Sequence, residues 1–248
     1  MNKTGLCSIT FRDLSADEII DLCVKNNIAA IEWGSDVHLV PDNLEEAKRV
    51  KKLMDDNNLL TSSIGSYYRV GIDNEYSFES VLNIAKILDA SDIRVWAGRL
   101  GSEVADEDYV NKVIEDSKRI AELAFKEGVR VSYEYHGKTL TDTPESALKL
   151  LKAVNHPNIH LYWQPAVDLS VEERLRDINK VKDYITNVHV FSWIGIEREP
   201  LANQKDNWIK YINEVNQNND DRYYILEFVK DDNVQQFIED AKVLNEII

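Results

Sequence analysis

The strongest constraint on this chain is a repeated alternation: a short apolar-rich strand pattern followed by an amphipathic helix, eight times over. Spread over 248 residues, eight units take 31 residues each (248/8 = 31), which suits a compact strand–helix unit with short loops. Strand patterns fall at 6–11, 29–33, 60–66, 92–97, 129–136, 159–164, 187–191 and 223–229. Helical patterns follow at 15–25, 43–54, 78–88, 107–126, 144–154, 171–184, 206–217 and 234–247, the first opened by Ser15 with Asp17 and Glu18 behind it. No Pro-, Gly- or Ser-rich linker divides the chain. An open doubly wound sheet would carry a glycine-rich phosphate loop after its first strand, and S-I-T-F-R-D offers none. The alternation therefore predicts an α/β fold, a single closed (β/α)8 TIM barrel over residues 1–248.

In such a barrel, chemistry collects at the C-terminal ends of the strands. The fifth strand pattern, V-R-V-S-Y-E-Y-H, sets Ser132, Glu134 and His136 on one face and Val131, Tyr133 and Tyr135 on the other. The same parity picks out Gln164 at the end of the sixth, His189 in the seventh and Glu227 in the eighth. Their separations are 164−134 = 30, 189−164 = 25 and 227−189 = 38, so each comes from a successive unit. Three oxygen donors and one nitrogen meeting above a barrel make a set for a divalent metal. Two carboxylates facing each other there can also exchange protons with a substrate carbon. Taken singly, Glu134 reads as a solvated strand-end residue and His189 as a hydrogen-bonded core histidine. Glu227, between Leu226 and Phe228, is harder to dismiss, because an unpaired buried carboxylate is costly.

Six stretches carry a resemblance: I-E-W-G-S-D-V-H-L-V-P from Ile31, I-R-V-W-A-G from Ile93, Y-E-Y-H-G-K-T-L-T-D-T from Tyr133, L-Y-W-Q-P from Leu161, H-V-F-S-W from His189 and L-E-F from Leu226. In order and spacing the chain resembles the xylose-isomerase-like TIM-barrel superfamily, in its sugar phosphate isomerase/epimerase branch. The resemblance implies an isomerase or epimerase that moves a proton next to the carbonyl of a sugar, sugar phosphate or polyol. It places the metal ligands on Glu134, Gln164, His189 and Glu227, and the catalytic acid/base pair on Glu134 and Glu227. Mn²⁺ or Mg²⁺ suits the oxygen donors, and the single imidazole also admits Zn²⁺ or Co²⁺. Two positions depart from the wider pattern. Many members place Asp or His where Gln164 stands, which leaves the ligand charge at −2. Many also carry an acid shortly after the strand-seven histidine, where this chain has Phe191 and Ser192, and that argues against a multi-metal nuclease site. The alternatives are a non-catalytic sugar-binding barrel, suggested by Gln164 and Phe191, and an abasic-site endonuclease-like enzyme.

Charge bears on that last alternative. With 44 acidic against 29 basic residues, the net charge of −15 argues against nucleic acid and against an anionic membrane surface. No apolar run approaches the roughly 20 residues of a membrane span, and residues 1–11 lack the apolar core of a signal peptide. Cys7 and Cys23 have neither metal spacing nor a disulfide framework, so a cytoplasmic location is expected. The expected partner is a small-molecule sugar, and a homo-oligomer stays open. Substrate contacts are expected from His38 after the second strand, from His136, from Arg198 and Trp193 in the long seventh loop, and from Trp208. Each also has a plain reading as a surface or core residue. Finally, parity puts Glu32 and Arg94 on the barrel axis, where two lone charges would be expensive. A direct Glu32–Arg94 salt bridge beneath the site is therefore predicted.

Overall fold

The strands pair side by side in parallel all the way round, and the last closes on the first. In a computed structural model, which describes residues 2–218 and 221–248, they are β1 (Lys3–Cys7), β2 (Ala30–Gly34), β3 (Leu60–Arg69), β4 (Asp92–Trp96), β5 (Arg130–Glu134), β6 (Ile159–Trp163), β7 (Ile185–Val190) and β8 (Tyr223–Leu226). Between and after them run α1 (Ala16–Lys25), α2 (Leu44–Asp56), α3 (Phe78–Ile87), α4 (Glu107–Lys126), α5 (Pro144–Val154), α6 (Val171–Val181), α7 (Lys205–Val215) and α8 (Val234–Ile247). The protein is a single (β/α)8 barrel. Its longest helix, α4, is amphipathic, and no helix among the described residues is long and apolar enough to cross a membrane.

Helix starts follow the local sequence. Ser15 and Ser170 each accept a hydrogen bond from a backbone N–H three residues on, while the Glu18 and Glu173 carboxylates accept one from the backbone N–H of the cap residue. Thr143 caps α5 with Pro144 just inside it, where a missing N–H costs nothing. Outward-facing strand residues such as Ile31, Trp33, Ile93, Val95, Val131 and Tyr133 join the helices in the main core. Cys7, Ile9, Tyr162 and Ile225 form a separate small cluster inside the barrel. The division between the two clusters is the inside–outside alternation of the strands made visible.

The main departure from expectation is β1. Its pattern predicted 6–11, but the strand covers Lys3–Cys7, and Ser8–Phe11 coils into a 3₁₀ turn. Polar side chains take over where the ladder stops: Ser8 Oγ accepts from Gly34 N at 2.9 Å, and Thr10 Oγ1 accepts from Phe228 N at 3.1 Å. The consequence is that Cys7 becomes the last residue of β1, level with Glu32 on β2.

Candidate active site at the C-terminal mouth

Strand parity brings the polar residues together from the bottom up. Arg94 and Glu32 lie in the barrel below the mouth, 3% and 0% exposed, with Arg94 Nε 3.1 Å from Glu32 Oε1. The predicted salt bridge is present. β3 passes this pair at Gly65, where a Cβ would come within 2.8 Å of Arg94 Nη2 and 2.9 Å of Glu32 Oε1. Only glycine leaves that space. Arg94 also reaches upward, donating through Nη1 to Glu134 Oε2, which accepts a further bond from Trp96 Nε1.

His189 stands on β7 with both ring nitrogens engaged. Nε2 lies 3.2 Å from Glu32 Oε1, while Nδ1 faces Gln164 Oε1 at 3.0 Å and Glu227 Oε2 at 3.4 Å. Glu227 follows β8 directly, its backbone N–H bonded to Val190 O. The next residue, Phe228, holds a left-handed backbone at φ 57, a conformation that strains a bulky side chain. Above these groups opens a cavity of about 600 Å³, whose walls include Arg94, Trp96, Glu134, Gln164, Glu227 and Trp193.

Burial and charge work against each other here. Burial pushes Glu134 upward, but Arg94 and then His189 outweigh it and hold the carboxyl below its ordinary range. Burial raises Glu227, and His189 offsets this only in part. His189 is lowered by burial but raised more by Glu227 and Glu32, so it sits above the usual imidazole value. Environments that push two carboxyls apart are the usual basis of an acid/base pair.

The donor set suits a divalent cation. A ring nitrogen facing two oxygen acceptors needs a proton or a cation between them, and Glu32 on the other ring nitrogen is the carboxylate–histidine arrangement that supports metal ligation. His189, Glu227 and Cys7 also offer donor atoms all within 4.8 Å of one another. Glu134 is at the same cavity but turns Oε2 to Arg94 and Trp96, which leaves Oε1 as the oxygen that can serve a ligand.

The other sequence-predicted contacts divide. His136 lines the cavity, its ring stacked on Trp96 at 5.0 Å, and Trp193 forms part of the wall. Three fall elsewhere. His38 is a buried packing residue whose Nε2 sits 3.0 Å from Leu14 O beside the Trp33 ring. Arg198 belongs to a short hairpin (Trp193–Ile194 with Glu197–Arg198) and pairs with Asp232 while lying over the Trp193 and Phe228 rings. It braces two wall residues from behind. Trp208 is core, packed on Trp163 and Tyr211 and donating to Phe191 O. Its helical spacing on α7 turns it toward the sheet. Sequence reasoning missed Trp96 as a wall residue and hydrogen-bond donor, though it shares strand parity with Arg94. It also missed Cys7, because β1 was set too late.

The sequence model of the xylose isomerase-like TIM barrel family matches residues 20–247. The chain belongs to that family. Among its relatives, a 3-dehydroshikimate dehydratase of Bacillus anthracis is 29% identical over 185 residues, 67% of this chain and 65% of that protein, so the match spans just under two thirds of the relative's length. The crystal structure of a probable 3-DHS dehydratase of the same organism, involved in petrobactin synthesis, superposes with a TM-score of 0.81 at 22% identity, covering 98% of each chain. A D-allulose 3-epimerase from Methylomonas sp. gives 0.76 at 13% identity over 99% of this chain and 98% of that one. Other solved barrels of this shape carry zinc or magnesium. At these identities the structures establish the shared xylose isomerase-like fold.

Proposed function

We propose that this barrel is an enzyme acting on a polyhydroxylated ketone, abstracting the proton next to the carbonyl and expelling water from the neighbouring carbon. The observation that carries the reading is the placement of Glu134 and Glu227. The two buried carboxylates stand on strand ends separated by β6 and β7, and both face one cavity of substrate size. Glu134 takes the proton, the C–H electron pair moves into the enolate, and the hydroxyl one carbon further leaves as water with a proton from Glu227. The sum is loss of one water, and the proton on Glu134 returns to Glu227 through solvent. A divalent cation bound by His189, Glu227 and Gln164 would supply charge stabilisation to the enolate oxygen. Arg94 and Trp96 fix the orientation of Glu134, and the aromatic wall of Trp96 and Trp193 covers the apolar face of the substrate.

The 29% identity to a dehydratase favours water loss. The isomerase or epimerase expected from sequence shares the first step and differs only in the fate of the enolate. The test is proton exchange in D₂O with 3-dehydroshikimate and a panel of ketoses, followed by mass and by the ultraviolet absorbance of any conjugated product. Glu134→Gln should abolish solvent deuterium incorporation, and Glu227→Gln should abolish water loss. Exchange retained in Glu134→Gln together with water loss retained in Glu227→Gln would sink the assignment, and exchange without water loss in the wild type would move it to epimerisation.

A further inference from the structure

A salt bridge accounts for only one of the bonds that Glu32 makes. Its Oε1 takes Arg94 Nε at 3.1 Å, Cys7 Sγ at 3.1 Å and His189 Nε2 at 3.2 Å. Its Oε2 takes Ser63 Oγ at 2.7 Å, and Ser63 in turn meets Tyr162 Oη at 3.1 Å. The Tyr162 ring packs against His189 with centroids 4.7 Å apart. These partners come from β1, β3, β4, β6 and β7, so the carboxylate is fixed in place from most of the barrel's circumference. Glu32 itself is fully buried and does not reach the cavity.

We propose that Glu32 is the positioning residue of the active site, setting the donors on both of its sides at once. Toward β7 it receives the Nε2–H of His189, which turns Nδ1, the other ring nitrogen, to Gln164 and Glu227. Toward β4 it fixes the guanidinium whose far end holds Glu134. One buried carboxylate thus orients the imidazole directly and one catalytic glutamate through Arg94. Neutralising Arg94 alone would need no contact with His189. Carboxylates behind a ligating histidine are worth about 10–100-fold in metal affinity. The inference rests on the divalent-cation reading above.

Co²⁺ is the probe, because its visible absorption reports the ligand field without turnover. Wild type, Glu32→Gln, Arg94→Met and Glu32→Gln/Arg94→Met are titrated with Co²⁺, and each is melted. Glu32→Gln should bind Co²⁺ about 10–100-fold more weakly with an altered spectrum, and should melt earlier because Arg94 has lost a partner. Arg94→Met and the double variant both leave Glu134 buried without its guanidinium, so both should melt early, but only Arg94→Met keeps Glu32 on His189. Co²⁺ affinity should stay near wild type in Arg94→Met and low in the double variant, a comparison that serves if Glu32→Gln alone does not fold. Freeing Glu134 from its guanidinium would favour cation binding, so a loss that persists in the double variant points to His189. Affinity lost as fully in Arg94→Met as in the Glu32 variants would show a structural role and overturn the inference, as would wild-type affinity in both Glu32 variants. If the wild type binds no Co²⁺, the cation reading falls and this inference with it.

Discussion

Replacing Arg94 by methionine isolates the energetics of the barrel floor. The side chain is 3% exposed and faces two carboxylates, Glu32 at 0% and Glu134 at 4%. Methionine fills much the same volume, so packing changes little and the electrostatic loss dominates. Two buried carboxylates left without their guanidinium should cost about 3–5 kcal/mol. For a chain of 248 residues, an unfolding entropy of about 2.1 cal/mol/K per residue gives about 0.5 kcal/mol/K, so the Tm should fall by about 6–10 °C. The sign with pH is also fixed. In the wild type burial pushes Glu32 up, but Arg94 and His189 hold it well below its ordinary range, so its contribution is complete above the unfolded value of about 4.3 and is lost only as pH falls toward the depressed folded one. Without Arg94 burial dominates, both carboxyls rise, and protonation relieves the variant first. The gap to wild type should therefore narrow from neutral pH to about pH 5. Calorimetric melts at both pH values measure it. A deficit below about 1 kcal/mol at neutral pH, or a gap that widens with acid, would refute the reasoning.

Gln164→Asp adds one ligand charge beside His189 Nδ1 and should tighten Co²⁺ or Mn²⁺ binding about tenfold at neutral pH, read by competition with a chelating dye. Unchanged or weaker affinity counts against Gln164 as a ligand. Trp208→Ala opens a hole among Trp163 and Tyr211 and should cost about 3–5 kcal/mol in denaturant unfolding. A small stability change with a selective rise in KM would instead return Trp208 to the cavity wall.

Barrel and site were legible to different depths, for a physical reason. Strand parity and helix periodicity are local, so α5 and α8 begin and end where their sequence patterns do, and Gln164, His189 and Glu227 meet from three consecutive units, with Glu134 of the preceding unit on the wall of the same cavity. The Glu32–Arg94 bridge followed from parity plus the cost of a lone buried charge. Loops obey no such period. Whether His38 or Arg198 faces the cavity depends on how each loop folds back, and both found partners outside it. β1 failed differently: S-I-T-F alternates like a strand, but Ser8 and Thr10 have nearby backbone N–H groups to cap, and these bonds win over the ladder.

The charged floor also bears on how the chain closes into a ring. Cut between β4 and β5, the molecule divides into one piece carrying Cys7, Glu32, Ser63 and Arg94 and another carrying Glu134, Tyr162, His189 and Glu227. The first piece keeps Glu32 with Arg94, Cys7 and Ser63 but leaves Arg94 without Glu134 and Ser63 without Tyr162. The second is left with two carboxylates and an imidazole that have lost both Arg94 and Glu32. An aliphatic interior would let each half collapse and bury its own surface. Here each half keeps some pairs and leaves others open, so each is a poor end point, and only ring closure brings Arg94 to Glu134, Glu32 to His189 and Ser63 to Tyr162.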